Sequence, residues 1–183
     1  MSTSSLSVGL CGVGTVGLAT VHILRDQSAM LAARCGQTVS ITHVGARREV
    51  PHPDYATARI SRDVMDVARD PDVDVLVELI GGTTVARDLI KLAIEQGKHV
   101  VTANKALIAE HGNELILLAE QAGVQLRFEA AVAGGIPVIK TLREAMAANA
   151  VSEVAGIING TGNFNNLICT VDKYSTIGAN FIN

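Results

Sequence analysis

Apolar runs too short for helices alternate along this chain with longer segments of helical period, and that alternation restricts the fold more than any other feature. The runs fall at residues 6–11, 39–45, 73–80, 99–102 and 124–129, and they are built mainly from Val, Ile and Leu. Between them, residues 16–35, 62–69, 85–96 and 105–122 repeat apolar side chains at the spacing of a helix face. A strand that reads as a continuous apolar run is buried on both faces, the condition of strands in a parallel sheet covered by helices. The expected class is therefore α/β, with a doubly wound parallel sheet. Punctuation agrees: Gly97 and Gly123 stand where left-handed caps should end two of the helices, and Asp70-Pro71-Asp72 reads as a tight turn into a strand.

The first strand runs directly into Gly12-Val13-Gly14-Thr15-Val16-Gly17, which fits the GxGxxG pattern and opens the first helix. In that setting each glycine has a task. The first permits a tight turn, the second lets backbone approach a diphosphate, and the third allows close packing of helix on strand, with the phosphates at the helix N-terminus. A lone GxGxxG can be no more than a small-residue turn; the strand before it and the helix after it point to a dinucleotide-binding domain of the Rossmann type.

Dinucleotide sites that take NAD usually place Asp or Glu after the second strand, to hold the ribose 2'-hydroxyl. Here that position reads Gly45-Ala46-Arg47-Arg48. Two guanidiniums favour a 2'-phosphate, which Arg binds in bidentate fashion and a carboxylate would repel, so NADP is expected ahead of NAD. Glu49 is near enough in sequence to serve the ribose instead, and a solvated pair of loop charges is the plainer alternative. Gly81, Gly82 and Thr83 end the run at 73–80 and are expected at the carboxyl edge of the sheet against the cofactor, with Thr83 or Thr84 also able to cap the next helix. Thr102 and Lys105 sit at the same edge after the next strand. An ammonium there can polarise a carbonyl or take part in proton transfer, although a lysine opening a helix is commonly just solvated.

Five blocks follow one another in the order and approximate spacing of homoserine dehydrogenase: residues 12–17, 77–82, 101–107, 128–137 and 159–164. The chain resembles that family over residues 6–164. The resemblance implies nicotinamide-dependent interconversion of L-homoserine and L-aspartate 4-semialdehyde, the branch step toward threonine, methionine and isoleucine. It implies that Lys105 is the active-site lysine beside nicotinamide and substrate, and that Gly160 meets the nicotinamide from the second domain. It also implies a monovalent cation, commonly sodium, on main-chain oxygens of Glu129, Val132, Gly134 and Ile136; a glycine-rich domain hinge is the plainer reading of that loop.

The expected organisation is a Rossmann domain at 1–130 followed, at 131–183, by the start of an α+β catalytic and dimerisation domain, with a helix at 136–148 and a strand at 151–158. The family's further substrate-binding carboxylates and second lysine find no match here, and Asn165-Asn166 departs from the apolar residues expected after Phe164. Half of the clamp that would hold a substrate against the nicotinamide is then missing, so a truncated chain that binds NADP(H) without turnover is the alternative function. Residues 165–183 offer no readable core-facing helix.

Composition narrows the partners. The formal net charge is -3 and aromatic residues make up 3%, which leaves neither a basic face nor stacking platforms for nucleic acid. No apolar run reaches the roughly 18 residues of a membrane span, and the polar lead of residues 1–7 is no export signal. Cys11, Cys35 and Cys169 are odd in number and lack metal-ligand spacing, as expected of free thiols in a cytoplasmic protein. Small-molecule substrates are the expected partners, in a family that is usually homo-oligomeric.

Overall fold

The computed structural model describes residues 5–48, 53–55, 57–151, 153–156 and 167–170. Strands β1 (Ser5–Cys11), β2 (Thr38–Gly45), β3 (Arg59–Ser61), β4 (Val75–Glu78), β5 (His99–Thr102) and β6 (Leu126–Arg127) form one sheet in the order β3-β2-β1-β4-β5-β6. Every neighbouring pair in it is parallel. Helices α1 (Thr15–Asp26), α2 (Ser28–Cys35), α3 (Val64–Arg69), α4 (Thr84–Glu95) and α5 (Lys105–Ala122) connect the strands. This is the Rossmann-type α/β architecture expected from the alternating pattern.

Successive strand residues face opposite sides of the sheet. Cys11, Leu76 and Val100 pack with α3, α4 and α5 in one core, while Leu10 and Val44 pack with Val21 of α1 and with Tyr55 in another. On α4, Leu89, Ile90 and Ile94 are buried, each contributing about 1.5–3 kcal/mol of transfer free energy. The caps are as expected: Gly97 and Gly123 take φ of 74° and 69°, and Asn104 Oδ1 accepts from Leu107 N at 3.1 Å to start α5. In the Asp70 turn, Asp70 Oδ1 accepts from Asp72 N at 3.0 Å.

Several elements differ from expectation. The segment at 16–35 is two helices, separated at Gln27, whose ψ of 12° takes the backbone out of helix. β3 is an edge strand of three residues that no apolar run announces. β6 is shorter than 124–129 because Glu129–Ala131 forms a 3-10 turn. The expected helix at 136–148 reduces to α6 (Val138–Lys140) and a π turn at Thr141–Ala145. Within the strand expected at 151–158, β7 (Glu153–Gly156) pairs antiparallel with β8 (Leu167–Thr170), which lies in the stretch where no element was expected.

Candidate cofactor site

Strand order reverses between β1 and β4: the chain leaves β1 toward β2 on one side and leaves β4 toward β5 on the other. The loops that follow these two strands therefore diverge, and a crevice opens between them at the carboxyl edge. A cavity of about 1050 Å³ occupies that place, with Gly12, Val13 and Gly14 on one wall and Leu79, Ile80 and Gly81 on the other.

The first wall is shaped by what its glycines lack. Gly12 has φ of 99°, and a Cβ there would lie 2.7 Å from the Leu79 carbonyl oxygen. At Gly17 a Cβ would lie 2.1 Å from the Gly12 oxygen, so this glycine is what allows α1 to start against its own turn. Gly14 is different: a Cβ there meets nothing within 4 Å, because it faces open space. Gly14 is also the N-cap of α1, with no side chain capping it and no acidic residue in the first turn. The first-turn N–H groups are thus left for an anion from outside the helix. Thr15, Val16 and Gly17 continue into that helix and do not line the cavity.

Opposite lies a cationic end. Arg47 and Arg48, both exposed, leave β2 and line the cavity, and among the described residues neither guanidinium is paired with a carboxylate. A third arginine, Arg62, lines it too and donates from Nη1 to the Arg47 carbonyl at 3.4 Å. Sequence reading missed Arg62, since only the pairing of β3 beside β2 brings residue 62 next to residue 47. Asp63 also lines the cavity beside Arg62, and its Oδ1 is engaged by Met65 N at 2.9 Å as the N-cap of α3.

A buried carboxylate builds the second wall. Glu78 is fully buried at the end of β4; Oε1 accepts from Ile80 N at 2.9 Å and Gly81 N at 3.2 Å, and Oε2 from the Thr102 hydroxyl at 2.6 Å. Thr102 Oγ1 in turn accepts from Asn104 N at 2.9 Å, and Asn104 Nδ2 donates to the Gly82 carbonyl at 2.7 Å. The loop after β4 and the start of α5 are thereby one hydrogen-bonded rim. Gly82, Thr83, Thr102 and Lys105 belong to this rim and do not line the cavity itself. Thr83 takes the N-cap position of α4 without a side-chain bond, and Lys105 is exposed at the first position of α5. Beneath the rim, Cys11 is buried, and burial followed by the Glu78 charge pushes its thiol far above the ordinary range, which makes it a poor nucleophile. Gly160 and Glu49 lie outside the described residues.

In the segment expected to hold a cation, Ala133 and Gly134 have φ of 54° and 59° in succession, and Ala133 is the one non-glycine with positive φ among the described residues. Backbone strain of this kind recurs at ligand clamps and switch regions. The Glu129 carbonyl accepts from Val132 N at 3.1 Å and that of Ile136 from Val138 N at 2.8 Å, each keeping a second lone pair. The Glu129 carboxylate instead caps α6, accepting from Ile139 N and Lys140 N at 2.9 Å each. Val132 is buried and Ile136 is exposed. Among the described residues no cluster of His, Cys, Asp and Glu side chains could hold a metal, so a cation here would rest on main-chain oxygens. Among them, too, no helix is long and apolar enough to cross a membrane.

Residues 12–129 match the family model described as "Homoserine dehydrogenase, NAD binding domain". The chain is 54% identical over 159 residues to a homoserine dehydrogenase of Pseudomonas aeruginosa, covering 87% of this chain and 37% of that protein. It is 47% identical over 160 residues to that of Neisseria gonorrhoeae, with the same coverage, 87% and 37%. Among solved structures, a homoserine dehydrogenase from Thiobacillus denitrificans superposes with a TM-score of 0.78 at 45% identity, over 88% of this chain and 38% of that one. The chain thus spans under two fifths of the length of these relatives.

Proposed function

This chain belongs to the homoserine dehydrogenase family, and from that premise we propose that the cavity takes NADP(H), with NAD(H) second, in an oxidoreductase interconverting L-homoserine and L-aspartate 4-semialdehyde. One observation carries the reading: the uncapped start of α1, with Gly14 facing open space, shares a cavity with Arg47, Arg48 and Arg62 at the point where strand order reverses. The first-turn amides of α1 hold the diphosphate, and the arginines hold the 2'-phosphate through charge-assisted bonds. Gly81 forms the wall toward the nicotinamide, and Gly82 and Thr83 belong to the rim above it, held by Glu78 and Thr102. When bound, the nicotinamide exchanges a hydride with the substrate. Lys105, where β5 gives way to α5, polarises the substrate carbonyl or moves its proton. Gly160 completes the cofactor contacts from the part beyond residue 130.

The division into a dinucleotide domain at 1–130 and the start of a catalytic and dimerisation domain at 131–183 belongs to the same proposal. So do sodium on the main-chain oxygens of Glu129, Val132, Gly134 and Ile136, a cytoplasmic homo-oligomer, and a role toward threonine, methionine and isoleucine. The paired left-handed residues at 133 and 134 support the cation site. A second reading, nucleotide binding without turnover by this chain alone, is favoured by its coverage of 37% of the Pseudomonas relative. Fluorescence titration with NADPH, together with semialdehyde-dependent NADPH oxidation, on this chain and on a version extended to the family's full length, separates them. Binding by both with oxidation by the longer one alone selects the second reading for this chain. Absence of NADPH binding in both refutes the cavity assignment.

A further inference from the structure

We propose that His43 is a positioning residue for the 2'-phosphate end of the cavity, acting through Ser61 on the two arginine-bearing segments that follow β2 and β3; this rests on the NADP(H) reading above. His43 is 1% exposed in the interior of β2. Its Nδ1 lies 2.6 Å from Asp70 Oδ2 and its Nε2 lies 2.8 Å from Ser61 Oγ. Burial pushes the Asp70 carboxyl upward, but the Asp72 amide, His43 and the Arg59 charge outweigh it and hold the group below the usual carboxylate range. An ionised carboxylate only accepts hydrogen bonds, so Nδ1 carries the hydrogen, and Nε2 shares a hydrogen bond with the Ser61 hydroxyl.

Serine, histidine and carboxylate in this sequence have the connectivity of a hydrolytic relay. An enclosed imidazole, however, has no room beside it for a substrate, and Ser61 does not line the cavity. What the chain of bonds does reach is the cationic wall. Ser61 is the last residue of β3, and the next residue, Arg62, lines the cavity. The Ser61 carbonyl accepts from Ala46 N at 3.0 Å, one residue before Arg47, and Arg62 donates to the Arg47 carbonyl. A three-residue edge strand has few ladder bonds of its own to fix such geometry. β3 is held instead by side chains at both ends, Arg59 Nη1 on Asp70 Oδ2 at 2.9 Å and Ser61 on His43, and both anchors converge on Asp70. The diphosphate wall, built on β1 and β4, meets this chain of bonds at the backbone of one peptide, Gly45–Ala46, whose carbonyl accepts from Gly12 N at 2.9 Å, and receives none of the side-chain bonds of His43 and Ser61.

Calorimetric titration of the 183-residue chain with 2',5'-ADP and with ADP tests the assignment. Ser61→Ala should weaken 2',5'-ADP by about tenfold, equivalent to one orienting hydrogen bond of about 1.4 kcal/mol, and leave ADP within about twofold. Ser61→Thr, which keeps the hydroxyl and suits a strand, should restore the preference. His43→Gln should repeat the selective loss, so the outcome does not hang on one variant. A structural role alone would weaken both ligands together, and equal losses, or no loss, in these variants overturns the proposal. If the unaltered chain fails to prefer 2',5'-ADP over ADP, the 2'-phosphate reading of the cavity falls first and takes this inference with it.

Discussion

Gly14 and Gly17 stand three residues apart in one motif, yet a side chain should do opposite things at each. Gly14 has extended backbone, with φ of -75° and ψ of -163°, and a Cβ there touches nothing within 4 Å. In Gly14→Val the added Cβ enters open space beside the cavity, with no protein atom within 4 Å of it. The fold loses only what an apolar N-cap costs, about 1 kcal/mol, or a shift of roughly 2–4 °C in Tm for a chain of this size. The ligand loses far more. A hydrogen bond from an amide to a charged group contributes about 1.5–3 kcal/mol, so displacing a diphosphate from two amides costs about 3 kcal/mol or more, at least a hundredfold in Kd. At Gly17 the added carbon falls 2.1 Å from the Gly12 oxygen, well inside contact distance. Gly17→Ala must therefore pry α1 from its turn, and it should lower stability by several kcal/mol as well as abolish binding. NADPH fluorescence titration and thermal unfolding of the two variants read both effects. Unchanged NADPH affinity in Gly14→Val, or a loss of stability in it equal to that of Gly17→Ala, would refute the reasoning.

Joint replacement Arg47→Ala and Arg48→Ala should weaken NADPH by roughly 10- to 100-fold, as one or two charge-assisted bonds are lost, with NADH changed much less; equal losses in parallel titrations remove the case for a 2'-phosphate. Thr102→Val keeps the volume but leaves Glu78 Oε2 buried without its 2.6 Å partner, so urea unfolding should show about 1–3 kcal/mol less stability, and an unchanged midpoint contradicts the rim described here. Asp70 has a depressed folded-state pKa, so its ionised form stabilises the fold above the ordinary value of about 3.9, and that contribution fades as pH falls through the folded value. Asp70→Asn should accordingly lower stability near neutral pH and flatten the acid limb of a stability–pH curve; parallel curves for the two proteins would show that the buried carboxylate contributes nothing.

The strands that could be read directly carry Val, Ile or Leu whether or not both faces are covered. The carboxyl ends of β1 and β2 are buried residue after residue, while β5 buries Val100 and Thr102 and leaves Val101 exposed, and the helices between these strands show their period. β3 was invisible because an edge strand buries little and need not be apolar: Arg59 and Ser61 face polar partners, and Ile60 is exposed. Arg62 escaped for the same reason, since its place beside Arg47 depends on a strand pairing and not on spacing along the chain. The break at Gln27 carries neither proline nor glycine to mark it. The steric part of the glycine motif, at Gly12 and Gly17, was legible because it is local. The part played by Glu78 was not, because a carboxylate at the end of an apolar strand looks the same in sequence whether it turns outward to a ligand or inward to its own backbone.

That inward turn has a consequence for how a ligand is received. With both oxygens of Glu78 engaged beneath the surface, the peptide groups of Ile80 and Gly81 are set when the chain folds, before any nucleotide arrives. A ligand entering the crevice meets a finished surface, and the entropy of shaping it does not subtract from affinity. Through Thr102 and Asn104 the same carboxylate joins the loop after β4 to the helix that begins with Lys105, so the two flanks of the crevice are tied by three side chains in series.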